Sequence, residues 1–101
     1  MNKLEIPIAV LELEILVLFS AHKRVESIPG MSIEQIINFL KPERDLGRES
    51  CRRAVLALQQ RTWVRIFAKF GRTQLFETTE QGEYAIAAYS QYLKKIIRDD
   101  T

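Results

Sequence analysis

The spacing of apolar positions changes repeatedly along this chain, and each change marks a new element. Residues 8–22 are apolar at nearly every angle of a helical projection, interrupted only by Glu12, Glu14 and Ser20. A helix with so little polar face is one buried on several sides. His22 and Lys23 near its end complement the negative pole of the helix dipole. Residues 25–31, which contain Ile28-Pro29-Gly30, read as a connecting loop. A second helix starts where Ser32 is followed by Gln35, a capping-box pattern, and Ile33, Ile36, Ile37 and Leu40 supply its apolar spacing. Pro42 ends it at or near Leu40, and residues 43–47 form a short polar turn.

The third helix is expected over about residues 48–61, with a narrow buried stripe of Cys51, Ala54, Val55 and Leu58. Furthest from that stripe lie Glu49, Arg53, Leu56 and Gln60, flanked by Arg48, Ser50 and Arg52. Its buried side is therefore small and its exposed side broad and mostly basic. Residues 63–70 then turn aromatic and β-branched, as do residues 75–78, and Gly71-Arg72 between them suits a two-residue hairpin turn with glycine first. Thr79-Glu80-Gln81 supplies an N-cap and an acidic first turn. The last helix, residues 80–98, spans roughly 28 Å at 1.5 Å per residue. Its apolar arc (Ala85, Ile86, Ala88, Tyr89, Tyr92, Leu93, Ile96, Ile97) covers about half the circumference, more than one packing partner needs.

Composition adds limits to this pattern. A chain of 101 residues with 47% hydrophobic and 28% charged residues is one globular domain. A single cysteine, Cys51, allows no internal disulfide and suits a reducing compartment. The apolar run 8–21 is too short for a bilayer span and carries acidic residues, which argues against a signal peptide too. A cytoplasmic protein without membrane contact is expected. One histidine and one cysteine, far apart in sequence, form neither a metal site nor a nucleophilic dyad, and no cofactor is expected. Glu12 and Glu14 point to different sides of their helix, and no Gly-rich phosphate loop exists, so the sequence does not read as an enzyme.

Charge changes the picture most. Between Lys41 and Arg72 stand nine basic and three acidic residues, a local net of +6, while the segments on either side each carry −2. A whole-chain charge of +2 thus conceals a polarised molecule. Segregated positive charge on one element is the footprint of a surface that meets phosphate.

The order helix, helix, turn, helix, hairpin, helix is a winged helix-turn-helix pattern, an α+β fold that is mainly α, with a three-helix core, a β-hairpin wing and a long C-terminal helix. Arg53-Ala54-Val55-Leu56-Ala57-Leu58-Gln59-Gln60-Arg61-Thr62-Trp63-Val64 resembles the recognition-helix-into-strand segment of bacterial winged-helix regulators. Leu75-Phe76-Glu77-Thr78-Thr79-Glu80-Gln81-Gly82 resembles their wing exit, and Thr62 stands where a glycine is common. The chain is most similar to the PadR-like family, in which a dimerisation helix follows the wing directly. The resemblance implies a DNA-binding domain over residues 1–79 and a C-terminal dimerisation helix over residues 80–98 packed on the same domain.

On that architecture the third helix enters the major groove and directs Arg48, Glu49, Ser50, Arg52 and Arg53 at DNA. Arginine pairs in bidentate fashion with guanine, and glutamate accepts from cytosine. Lys69, Arg72 and Thr73 at the hairpin tip reach flanking phosphate or the minor groove, and Lys41 and Arg44 make backbone contacts that set register. Arg61 and Arg65 point elsewhere. Trp63, Phe67 and Phe76 are assigned to the core, whereas Phe70 is left open as a base-stacking platform. The first and last helices are expected to form a homodimer through Leu11, Ile15, Leu18, Tyr89, Tyr92, Leu93, Ile96 and Ile97. The expected function is a transcriptional regulator binding double-stranded DNA as a homodimer. The alternatives are a protein-interaction winged helix that meets an acidic partner, and an RNA-binding protein.

Overall fold

The computed structural model describes residues 9–41 and 45–99, with the side chains of the last helix described through Gln91. The order of elements is α1 (Val10–Val25), α2 (Ile33–Leu40), α3 (Arg48–Gln60), β1 (Val64–Phe70), β2 (Thr73–Thr78) and α4 (Glu80–Asp99). Helix α1 is the central post. Its Ile15, Leu16 and Phe19 are completely buried, and they meet Ile36 of α2, Cys51, Val55 and Leu58 of α3, and Phe76 of β2. Each fully buried side chain of this size contributes about 1.5–3 kcal/mol.

Helix α1 runs three residues past the expected end at position 22. The extension has a physical reason: Lys23 Nζ donates to the carbonyl of Thr78 at 2.9 Å and lies 3.4 Å from the buried carboxylate of Glu77. The same carboxylate accepts from Arg65 Nε at 2.7 Å, so charges from α1 and β1 converge on one acidic group of β2. A buried carboxylate is tolerable only with such partners.

Helix α2 begins with the expected capping box. Gln35 N–H donates to Ser32 Oγ at 3.2 Å, and Ser32 N–H donates to Gln35 Oε1 at 2.9 Å. Helix α3 buries the expected stripe of Cys51, Ala54, Val55 and Leu58. It ends in a Schellman motif, with Thr62 N–H donating to the Gln59 carbonyl at 2.9 Å and Trp63 N–H to the Leu58 carbonyl at 3.1 Å. The motif places Thr62 at φ 65°, a left-handed conformation that β-branched residues rarely adopt.

Strands β1 and β2 pair antiparallel, and Phe70 faces Thr73 across the Gly71-Arg72 turn. Gly71 has φ 62°, as a two-residue hairpin with glycine first requires. The register slips between Ile66 and Ala68, which leaves Phe67 as an extra residue on β1. This bulge re-aims the side chain: Phe67 is 41% exposed, not in the core as the sequence pattern implied, whereas Phe76 is buried. Met31 pairs with Phe76 through both backbone groups, N–H to carbonyl at 2.9 Å and the reverse at 2.7 Å, and so docks the loop before α2 on the hairpin.

Thr79 joins the hairpin to α4. Its hydroxyl accepts from Gly82 N–H at 3.1 Å as the N-cap and donates to the Thr62 carbonyl at 2.6 Å, while its own N–H donates to the Trp63 carbonyl at 2.9 Å. The end of α3, the foot of the wing and the start of α4 therefore form one junction. Tyr89 of α4 meets the Trp63 ring edge-on, with centroids 6.3 Å apart.

Candidate nucleic-acid interface

The buried stripe of α3 fixes the direction of everything else on that helix. With Cys51, Ala54, Val55 and Leu58 facing the core, Arg48, Glu49, Ser50, Arg52 and Arg53 all point to solvent. The hairpin folds back beside this face. Arg72 and Thr73 from its turn and Arg48, Glu49, Arg52 and Arg53 from α3 line one open cleft of about 380 Å³. Residues from the beginning of α3 and from a turn some twenty positions later thus share a concave, arginine-rich wall.

Other expected contacts lie outside the cleft. Ser50 and Lys69 are exposed on α3 and β1 but do not line it, and Lys41 is exposed at the end of α2. Arg44 lies outside the described residues. Arg65 and Arg61 are engaged away from this face: Arg65 with Glu77, and Arg61 with its guanidinium 5.0 Å from the centre of the Trp63 ring. Phe70, at 64% exposure, stands beside the wing tip.

Several lining residues were not among the expected contacts. Glu34, on the first turn of α2, forms an ion pair with Arg48, a contact set by how α2 packs on α3. Gln59 and Gln74 add neutral hydrogen-bonding groups to the wall, and Leu56 adds an exposed apolar one. Glu49 faces two arginines of its own helix, with Oε1 3.7 Å from Arg52 Nε and Oε2 3.9 Å from Arg53 Nε. Among the described residues, Lys69 and Arg72 on the hairpin have no ion-pair partner.

Cys51 lies directly beneath this face and is fully buried. Burial pushes its thiol up to about 11, and the nearby charge of Arg48 only partly opposes the shift. The side chain therefore behaves as a small apolar residue.

The residues expected at a dimer interface are distributed differently. Ile15 is completely buried in the chain's own core, because it shares a face of α1 with Phe19, and its side chain is not available to a partner. Leu11, Leu18 and Tyr89 are half-buried against the same core. The side chains of Tyr92, Leu93, Ile96 and Ile97 lie outside the described residues. An open, mostly apolar groove of about 720 Å³ runs between α1 and the end of α2, lined by Val10, Leu13, Val17, Leu18, Ala21, Phe39 and Leu40 together with the carboxylate of Glu14. Among the described residues, no helix is long and apolar enough to cross a membrane.

No protein-family model matches the sequence, and no curated protein matches it either. Similarity to solved structures is clear. A mutant of MepR from a multidrug-resistant S. aureus clinical isolate superposes with a TM-score of 0.70 at 14% identity, over 91% of this chain and 62% of that one. The adhesin competence repressor AdcR from Streptococcus pyogenes gives 0.69 at 13% identity, over 96% of this chain and 64% of that one. The chain thus spans a little under two thirds of the length of each. Four helices and a two-stranded antiparallel hairpin in this arrangement make the fold a winged helix-turn-helix.

Proposed function

We propose that this protein is a transcriptional regulator that binds duplex DNA as a homodimer, with α3 in the major groove and the hairpin on flanking backbone. One observation carries the reading: the chain folds so that Arg48, Arg52 and Arg53 of α3 and Arg72 of the wing line a single cleft. A basic concave wall built from a helix and a hairpin matches a groove and its adjacent phosphates. The likeness in fold to AdcR, by name a repressor, supports the same reading.

Self-association is supported by the apolar surface that one copy leaves open. Val10 and Val17 on α1 and Phe39 on α2 are 61%, 45% and 63% exposed, and they border the apolar groove. Such patches mark interaction surfaces. A long helix directly after the wing is also the arrangement of PadR-like regulators, the subtype we favour. Two copies related by a twofold axis present two α3 helices to the same side of a duplex, with half-sites about 10 bp apart or a multiple of that. Selection of bound fragments from a random duplex pool tests this reading. Recovery of an inverted repeat supports it, and recovery of no enriched sequence contradicts sequence-specific binding.

A further inference from the structure

The arginines on the proposed reading face are not free in the unbound protein. Arg48 is paired with Glu34, and Arg52 and Arg53 share Glu49 at 3.7 and 3.9 Å. The hairpin cations Lys69 and Arg72 have no ion-pair partner among the described residues. Charge on this surface is thus divided into a helix part held by carboxylates and a wing part open to any phosphate.

We infer that Glu49 is a specificity-determining residue, which holds Arg52 and Arg53 against indiscriminate phosphate binding and releases them only to base edges. The inference rests on the DNA-binding reading above and assigns a role within it. Both contacts span one helical turn, at i,i+3 and i,i+4, so α3 itself sets the geometry. All three side chains are mostly solvent-exposed, and an exposed pair of this kind is weak enough to open. A phosphate also binds a guanidinium in bidentate fashion, but it sets a second anion beside the Glu49 carboxylate. A neutral guanine edge offers a bidentate hydrogen-bonded pair without that added repulsion, so an arginine engaged there is opposed least by Glu49. Glu49 thereby lowers affinity for all DNA and lowers it least for the correct site.

The test compares wild type, Glu49→Gln and the control Glu80→Gln on two duplexes: the tightest sequence from a random pool, and a scrambled duplex of equal length and composition. Glu80 is exposed at the start of α4 and does not line the cleft, so its substitution reports the effect of net charge alone. For Glu49→Gln, affinity for the scrambled duplex should rise about tenfold near 50 mM salt, and its salt slope should steepen by about 0.9–1.8 as one or two arginines reach phosphate. Affinity for the selected duplex should change less, so the ratio between the two falls, while Glu80→Gln leaves that ratio unchanged. Equal gains on both duplexes, or a loss confined to the selected duplex at a single cytosine, would overturn the inference. Absence of duplex binding by wild type would instead overturn the underlying DNA-binding reading.

Discussion

A Cβ placed on Gly82 would stand 2.1 Å from the carbonyl oxygen of Trp63. No side chain fits there unless α4 moves away from the foot of the wing. Glycine inside a helix is normally about 1 kcal/mol worse than alanine. At this position the order should reverse. Gly82→Ala should destabilise the fold by about 1–3 kcal/mol, the range of an overpacked site, as read from urea denaturation.

Thr62 gives the opposite prediction. At φ 65° it fills the left-handed position of the Schellman motif that closes α3. Left-handed geometry is disfavoured by about 1–2 kcal/mol for residues other than glycine. Thr62→Gly should therefore raise stability by about 1 kcal/mol in the same denaturation experiment, part of the gain being offset by a more flexible unfolded chain. The Thr79 hydroxyl contact to the residue 62 carbonyl at 2.6 Å involves only backbone at that position and should survive.

Stability should decline on the acid side because of Glu83. Burial works to raise its carboxyl, but hydrogen bonds from Thr78 and Ser20 and the charges of Arg24 and Lys23 prevail, and the pKa is lowered from the ordinary 4.5. Thr78 Oγ1 donates to it at 2.5 Å and Ser20 Oγ at 2.8 Å. A carboxyl depressed in the folded state stabilises fully above its unfolded pKa, and that contribution is lost as pH falls through the folded value. Unfolding free energy should thus fall as pH drops below 4.5. Glu83→Gln should be less stable at neutral pH and should show a flatter acid limb, measured by denaturation from about pH 6 to about pH 3.

These positions also show how far the sequence could be read. The capping box of Ser32 and Gln35, the stripe of α3 and the glycine-first turn at Gly71 were all legible, because each is a local rule with a short spacing. The departure of Thr62 from the usual glycine was visible, and the structure gives it a meaning as a strained left-handed residue. What stayed hidden depends on contacts between distant elements. Glu77 reads as an ordinary strand residue until Lys23 and Arg65 converge on it, and Glu34 reads as a helix-start acid until α2 brings it to Arg48. Phe67 was misassigned to the core because a single bulge shifts the alternation of β1. Ile15 was assigned to an interface because a helix apolar all round does not reveal which apolar face the chain covers itself. Of the charge block, Arg48, Arg52, Arg53 and Arg72 line the cleft, and Arg61 and Arg65, expected to point elsewhere, are engaged with Trp63 and Glu77.

Two arginines of the cleft should separate reading from anchoring. Arg53 is on the outer face of α3, and Arg72 is at the hairpin turn. Arg53→Ala should cost about 1–3 kcal/mol on the selected duplex and relax preference at one base pair. Arg72→Ala should weaken selected and scrambled duplexes alike. Competition binding with single-base variants of the selected site distinguishes the two patterns.

The most direct measurement is duplex affinity across a salt series for wild type and for the combined variant Arg52→Ala, Arg53→Ala, Arg72→Ala. All three side chains are exposed, so the fold should persist without them. The proposed function predicts that log affinity of wild type falls linearly with log salt, by about 0.9 for each phosphate neutralised, and that the combined variant binds far more weakly with a shallower slope. Undetectable binding of wild type to duplex DNA at low salt, or equal binding by the variant, would contradict it.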